Sequence, residues 1–334
     1  MTAQTTGWLS PDGILLHIGA HKAGTTAIQN ALSTARPRLL EQGVSYPGTT
    51  EAHHRAAAAA ARRVRGFGDD RSVVDRAAWT SVAQAALAHP GRTVLSSETF
   101  TEVDDRGVRR IAADLTPSRT FVTLTLRPFE RILPSTWQEA LKGGLTEEFD
   151  VWLRAILDRD PAMTPSFWRR NDVAAVLGRW IDIVGAHQVA VICLPPDDPT
   201  FLPTSFESLI GLSPSTLSLP VSGRSNRSLS AVEAEIIRQI NVSVHGQLTR
   251  ADYHRLLRRG AWLSLVRRRE PGSDEGRVSL PAWATERAGA ESQAVADWIR
   301  RSGVTVVGDL SWLTPAVAEL PKAATPTSGG RPSA

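Results

Sequence analysis

A glycine-flanked loop near the N-terminus carries the residues best suited to bind an anion. It follows the apolar run Ile14–Ile18 and has the sequence Gly-Ala-His-Lys-Ala-Gly-Thr-Thr from Gly19 onward. Successive backbone N–H groups in such a loop can form a concave anion site, and the N-terminus of the following helix adds favourable charge. A lysine supplies a cation, and two threonines supply hydroxyl donors and cap the helix. The residues predicted to contact the anion are Lys22, Ala23, Gly24, Thr25 and Thr26.

The spacing of this loop differs from that of a nucleoside-triphosphate P-loop, in which lysine directly follows the second glycine. Here Thr25 stands at that position, and Lys22 lies two residues before Gly24. A strand–turn–helix joint that needs glycine only for its backbone geometry is the competing interpretation, with the lysine simply solvated. The sequence therefore favours a phosphate-binding loop of another kind.

The loop resembles the 5′-phosphosulfate-binding loop of sulfotransferases that use 3′-phosphoadenosine 5′-phosphosulfate (PAPS), and above all that of the bacterial and carbohydrate-type members. The resemblance implies that Lys22 contacts the bridging oxygen of the phosphosulfate. It also implies that Thr25 and Thr26 bind the phosphate, and that the chain has a P-loop-like sulfotransferase fold.

A second element of the same resemblance is a strand that ends in arginine, followed by a helix that carries serine, which together bind the 3′-phosphate. Arg127 follows the apolar run Thr120–Leu126, and Ser135 lies eight residues later in a predicted helix that Pro134 is expected to kink. The planar guanidinium group of arginine suits a phosphate. Weaker similarity extends to residue 313. The Gly-x-x-Gly-x-x-Lys element of hormone-type sulfotransferases is absent from the sequence, so the adenosine contacts from the C-terminal side stay open.

Transfer of a sulfuryl group to an alcohol needs in-line geometry, stabilisation of the leaving-group charge and a general base. Glu98 is the favoured base, because it follows the strand-like run Thr93–Ser97 and open α/β sheets bind ligands at the carboxyl ends of their strands. His54, beside His53, is the second candidate, since histidine has a suitable pKa. A helix-capping Glu98 and two surface histidines are the competing interpretations.

Several further side chains are candidates for an acceptor pocket. Lys142 follows Gln138 by one helical turn and would either point to the sulfate or acceptor or balance the helix dipole. Trp137, Trp152 and Trp168 would either line the pocket or lie in the core.

Strand-like and helix-like runs alternate along much of the chain, which predicts an α/β fold with a central, mainly parallel sheet covered by helices on both faces. The predicted strands are Ile14–Ile18, Thr93–Ser97, Thr120–Leu126, Val189–Leu194 and Val304–Val307. The predicted helices are Thr25–Ala35, Ala52–Arg65, Ser72–Ala88, Arg106–Leu115, Phe129–Leu141 and Asn171–Val184, then a helical C-terminal portion at Ser230–His245, Arg250–Arg258 and Ala282–Arg301. We expect one sulfotransferase domain over residues 13–313, with disordered tails at 1–12 and 314–334.

The composition limits the classes of protein to which the chain can belong. Its 334 residues are 42% hydrophobic, enough for a substantial core, and the apolar runs are far shorter than the roughly 20 residues of a membrane-spanning helix. The single cysteine, Cys193, excludes an intramolecular disulfide, and the eight histidines show no metal-ligand spacing. Residues 1–11 lack the pattern of a signal peptide. We therefore expect a cytoplasmic protein that uses no metal.

The expected activity is transfer of the sulfuryl group of PAPS to a hydroxyl or amine of a carbohydrate or glycosylated metabolite, with release of adenosine 3′,5′-bisphosphate (PAP). The net charge of +4 permits a nucleic-acid partner, but interleaved acidic residues and the absence of a recognised motif count against one, and no membrane partner is expected. The alternatives are a nucleoside-triphosphate-dependent kinase of related fold and a non-catalytic nucleotide- or nucleic-acid-binding module.

Overall fold

The structure, a computed structural model, describes residues 8–61, 76–161, 166–219 and 227–314. A six-stranded sheet, parallel at every strand pair, has the order β2-β3-β1-β4-β5-β6. Its strands are β1 (Ile14–His17), β2 (Val44–Ser45), β3 (Arg92–Ser96), β4 (Thr120–Leu126), β5 (Val189–Cys193) and β6 (Thr305–Val307). The predicted α/β fold with a parallel sheet is confirmed.

Helices surround this sheet and continue into the C-terminal portion. The α-helices are α1 (Thr25–Thr34), α2 (Arg36–Glu41), α3 (His54–Ala60), α4 (Arg76–Ala88), α5 (Asp105–Leu115), α6 (Phe129–Lys142), α7 (Phe149–Leu157), α8 (Phe167–Asn171), α9 (Val173–Val184), α10 (Phe201–Ile210), α11 (Ala231–Val244), α12 (Arg250–Asp252), α13 (Leu263–Arg268) and α14 (Ala282–Ser302). A π-helix, Tyr253–Trp262, joins α12 to α13. Short 3₁₀ turns lie at Glu98–Glu102, Pro117–Arg119, Ala186–Gln188 and Leu310–Leu313.

Helices cover both faces of the sheet. Successive residues of a strand point to opposite faces, so each strand contributes side chains to the core on either side. Leu15 and Ile192 pack with α1, α2 and α10 on one face, while Leu16 and Val191 pack with α3, α4, α5, α9 and α14 on the other. Burial on both faces explains why the strands are continuous apolar runs rather than alternating ones.

A third apolar core forms between α6, α7, α11, α13 and α14, away from the sheet. Its largest members include Trp137, Trp152 and Trp262, each 4% exposed. The predicted helical C-terminal portion is thus confirmed, and it is held to the domain by a core of its own.

Some element bounds differ from the sequence-based expectation. Helices α7 and α10 were not predicted from the sequence, and α6 continues through Pro134. The predicted tail at 1–12 is too long, since Leu9 is 1% exposed and its backbone N–H donates to Leu209. Residues 62–75, at the ends of two predicted helices, and the predicted tail from residue 315 onward lie outside the described residues.

The strand order creates a crevice beside β1. The chain leaves β1 towards β2 on one side and leaves β4 towards β5 on the other, although β1 and β4 are neighbours. Open α/β sheets bind ligands where adjacent connections diverge in this way, at the carboxyl ends of the strands. Among the described helices, none combines the length and apolar character needed to cross a membrane.

Candidate functional site

The loop between β1 and α1 is held open by its backbone conformation and by β4. Gly19 and Gly24 have φ values of 124° and 81°, a region that glycine adopts without steric cost, and a Cβ at Gly24 would lie 2.8 Å from Leu202. The hydroxyl of Thr125 lies 2.9 and 3.0 Å from the carbonyl oxygens of Gly19 and Ala23. These contacts hold both ends of the loop against β4.

Several backbone donors of this loop are available to a ligand. The N–H groups of Lys22, Gly24, Thr25 and Thr26 have no hydrogen-bond acceptor among the residues that the structure describes. Gly24 is the N-cap of α1, and no side chain caps this helix, so the expectation that the threonines cap it is wrong. Unpaired donors together with an uncapped N-terminus favour a bound anion.

A cleft of about 1080 Å³ opens in front of the loop at the carboxyl edge of the sheet. Six of the predicted site residues line it: Lys22, Gly24, Thr25, Thr26, Glu98 and Ser135. Small-molecule sites typically enclose about 300–1,000 Å³. The cleft is therefore large enough for a nucleotide together with an acceptor.

A carboxylate on α6 pairs with the loop lysine across this cleft. One oxygen of Glu139 lies 3.0 Å from Nζ of Lys22, and the other lies 2.5 Å from Nη2 of Arg258 on the π-helix. Burial acts to raise the pKa of Glu139, but the two cations outweigh it and lower that pKa to about 2. Lys142, which also lines the cleft, has its pKa lowered by burial and raised in part by Glu139. Three cations thus surround one carboxylate, which leaves an excess of positive charge.

Glu98 lies on the other side of the loop. A Cβ on Gly19 would stand 3.3 Å from Cβ of Glu98, which shows how closely the end of β3 approaches the loop. Gln29 donates to Oε2 of Glu98 at 3.3 Å, and Nδ1 of His54 lies 3.7 Å from the same oxygen. Burial acts to raise the pKa of Glu98, whereas His54, hydrogen bonds and His21 lower it, and the net shift is downward. The carboxylate is therefore ionised at neutral pH.

The capping interpretation of Glu98 is wrong. Ser97 is the N-cap of the 3₁₀ turn Glu98–Glu102, and its hydroxyl accepts the N–H of Thr99 at 3.2 Å. The carboxyl group of Glu98 is thereby left to face the cleft.

The two adjacent histidines occupy different surroundings. His53 is 5% exposed, with Nε2 2.8 Å from the carbonyl oxygen of Pro47 and Nδ1 accepting the N–H of Ser96 at 3.0 Å. Burial lowers the pKa of His53 to about 4, so it is a neutral structural residue. His54 instead has Nδ1 2.9 Å from the hydroxyl of Ser97, beside Glu98. Of the pair, His54 is the one near the site.

The two residues expected at a 3′-phosphate lie in different cavities. Ser135 lines the large cleft, whereas Arg127 is exposed at the end of β4 and borders a small cavity of about 20 Å³ with Arg170 and Ser292. Two other predicted residues, Ala23 and His54, also lie outside the cleft lining, although each is adjacent to a residue that lines it. Ala23 is fully buried and contributes its backbone to the loop.

The tryptophans considered for an acceptor pocket lie elsewhere. Trp137 and Trp152 are buried in the third core, and Trp168 packs on Arg159, whose Cζ is 3.7 Å from the ring centroid. None of the three lines the cleft. Gln138 likewise has a structural role, since it accepts the N–H of Leu229 at 2.8 Å.

Sequence reasoning missed four charged residues of the site: Glu139, Glu207, Arg227 and Arg258. Glu139 lies three residues before Lys142, and this helical spacing places the two side chains on the same face of α6, which is a signal present in the sequence. Nothing in the sequence indicates Arg258, which reaches the site from a π-helix distant along the chain.

Comparison with known proteins gives no relative. No family model, curated protein or solved structure matches the chain. Among the described residues, no group of three or more histidine, cysteine, aspartate or glutamate side chains is arranged to hold a metal ion.

Proposed function

We propose that the chain is a cytoplasmic, PAPS-dependent sulfotransferase that transfers the sulfuryl group to a hydroxyl or amine of a carbohydrate or glycosylated metabolite. One observation carries the proposal. An anion-binding loop with an adjacent lysine and an ionised carboxylate suited to be a base, Lys22 and Glu98, line the same cleft.

The loop is the proposed site of the phosphosulfate. The N–H groups of Lys22, Gly24, Thr25 and Thr26 supply donors to its oxygens, and the N-terminus of α1 adds favourable charge. The excess positive charge around Glu139 compensates a polyanionic ligand. In this proposal Ser135 and Arg127 contact the 3′-phosphate, with Arg127 turning from the smaller cavity towards the ligand.

The reaction is a direct displacement at sulfur. The acceptor oxygen or nitrogen forms a bond to sulfur while the bond from sulfur to the bridging oxygen of the 5′-phosphate breaks, and that oxygen leaves with PAP. Negative charge grows on the bridging oxygen, where the ammonium group of Lys22 stabilises it. The acceptor's proton passes to a general base.

Glu98 is the proposed base, with His54 as the second candidate. Support for Glu98 comes from its position, because it lines the cleft while His54 lies behind it at 3.7 Å. The lowered pKa of Glu98 keeps the carboxylate free to accept a proton at neutral pH. His54 can stabilise that charge or pass the proton onward.

Calorimetric titration with PAP tests the proposal, with ATP–Mg²⁺ as the comparator. We expect PAP to bind and its affinity to collapse in Arg127→Ala but not in Arg131→Ala, a control that removes the same charge one turn along α6. Transfer from labelled PAPS to a panel of sugars and glycosides then identifies the acceptor. Binding of ATP–Mg²⁺ without binding of PAP would support the kinase instead of the sulfotransferase. Salt-sensitive binding of nucleic acid without binding of PAP would support a non-catalytic binding module.

A further inference from the structure

Glu139 is shared between two cations that come from distant parts of the chain. Lys22 belongs to the loop after β1, and Arg258 belongs to the π-helix of the C-terminal portion. The side chain of Glu139 is 37% exposed, and those of Lys22 and Arg258 are each 29% exposed, so the cluster opens onto the cleft.

The Lys22–Glu139 pair can be exchanged for another, because both side chains are partly exposed and Glu139 has a second cation. Ion pairs exposed to solvent contribute little stability, because water screens the charges. When Lys22 leaves, Glu139 still has Arg258 at 2.5 Å to compensate its charge. An anion in the loop attracts Lys22 and is repelled by Glu139, so the two anions compete for one ammonium group.

Other carboxylates that line the described part of the cleft have different partners. Glu98 accepts a hydrogen bond from Gln29 and lies 3.7 Å from His54. Glu207 accepts the backbone N–H groups of Ser215 and Leu217 at 3.2 and 2.7 Å, which gives it a role in holding that segment. Glu139 is therefore the carboxylate placed to compete with a ligand for Lys22.

We propose that Glu139 is an internal competitor of the anionic ligand: Lys22 passes from Glu139 to the ligand on binding and returns to Glu139 on release, which limits the affinity for PAP. The inference rests on the proposed function in one respect, that the loop after β1 binds the donor's anionic group. With Lys22 beside it, Glu139 has a pKa of about 2, so its carboxylate is ionised before the ligand binds.

The test compares Glu139→Gln with wild type by calorimetric titration with inorganic pyrophosphate and, separately, with PAP. We expect Glu139→Gln to bind pyrophosphate about three- to tenfold more tightly, as removal of a partly exposed competing charge implies. Glu148→Gln removes the same charge from a 69% exposed side chain and should leave the affinity unchanged. A gain in affinity is informative, since damage to the fold would weaken binding.

Glu139→Ala is a second neutral variant, should Glu139→Gln fail to fold, because alanine also suits a helix. Unchanged or weaker pyrophosphate binding in the folded neutral variant would overturn the inference, as would an equal gain in Glu148→Gln. The two proposals fail separately. If the wild type binds PAP but the Glu139 variant shows no gain in affinity, the proposed function stands and the competitor role of Glu139 fails. If neither protein binds PAP but the variant binds pyrophosphate more tightly than the wild type, the competitor role stands and the proposed function fails.

Discussion

Two carboxylates of this protein, Glu139 and Glu233, are each shared by two cations, but in opposite surroundings. Glu139 faces the cleft with Lys22 and Arg258. Glu233 has no exposed side-chain surface and accepts two bonds from Arg227, at 2.6 and 2.7 Å, while Arg269 lies 3.2 Å away.

The buried carboxylate of Glu233 is held by further bonds. Glu233 accepts the N–H of Ser230 at 3.0 Å and forms a capping box at the start of α11, and Glu275 pairs with Arg269. Removal of one partner from a buried pair leaves an uncompensated charge, whereas an exposed pair loses little. The cations of the two clusters are similarly exposed, so the contrast lies in the carboxylates: Glu233 has no exposed surface and is structural, whereas Glu139 is 37% exposed and can exchange its partner.

The largest expected effect is on catalysis at the exchangeable cluster. If the proposed function holds, Lys22→Ala should lower the rate of sulfuryl transfer by about 1000-fold, because it removes the group proposed to stabilise the leaving oxygen. Steady-state transfer from labelled PAPS measures it, and thermal unfolding should be nearly unchanged. Lys142→Ala removes a cation from the same cleft and should lower the transfer rate far less. Equal losses of rate in the two variants would mean that Lys22 acts only through the overall positive charge of the cleft.

The two clusters should differ in how much they contribute to the free energy of unfolding. Glu233→Gln should lower the free energy of unfolding by about 3 kcal/mol, since Arg227 and Arg269 would lose a buried counter-ion. Glu139→Gln should cost less than Glu233→Gln, because the side chain of Glu139 is 37% exposed and water screens its charge. Chemical denaturation of both variants tests this contrast, and similar losses would show that exposure does not distinguish the clusters.

The proposed base, Glu98, lies outside both clusters, and its substitution should give an effect of intermediate size. Glu98→Gln should lower the transfer rate by about 100-fold while sparing PAP affinity, because the amide cannot accept the acceptor's proton. His54→Gln should reduce the rate by about tenfold, as expected of a residue that supports the carboxylate. The reverse order of these losses would assign the base to His54.

The smallest effect is on the pH dependence of stability, and it comes from histidines rather than from either carboxylate. Burial lowers the pKa of His17 and of His53 from 6.5 to about 4. Between these values the unfolded chain binds protons that the folded chain does not, so stability is full above pH 6.5 and falls as the pH is lowered towards 4. At pH 6 each histidine should cost about 1 kcal/mol.

Denaturation at pH 6 and at pH 7.5 measures that loss, and His17→Gln should reduce the difference between the two pH values. The pKa of Glu139 lies near 2 and that of Glu233 is also lowered by its arginines against the effect of burial, so neither cluster changes charge in this range. An unchanged pH difference in His17→Gln would assign the loss to other groups.

Much of the architecture could be predicted because it depends on local patterns. The runs at β1, β4 and β5 are buried on both faces, so their apolar character marks them without reference to any partner. The loop from Gly19 to Thr26 was found for a similar reason, since its glycines, lysine and threonines are contiguous in the sequence. Its neighbour Glu98 was found because a position at the end of a parallel strand indicates the ligand edge of the sheet.

Contacts between distant residues could not be predicted in this way. His53 and His54 are adjacent in sequence but lie in different surroundings. His53 is buried between Pro47 and Ser96, and His54 lies beside Glu98. Neighbouring side chains at the start of a helix point in different directions. The three tryptophans have apolar rings that suit a core and a sugar pocket equally. Only the packing of the chain shows that they lie outside the cleft.

The alternation of strands and helices and the composition of the loop after β1 can be read from the sequence, because hydrophobic periodicity and backbone requirements act over a few neighbouring residues. Which charged side chains come into contact depends on the packing of the whole chain. Lys22 and Glu139 are 117 residues apart, and Glu139 and Arg258 are 119 apart. Electrostatic interactions depend on distance in space and on exposure to water, and both are fixed only when the helices pack around the sheet.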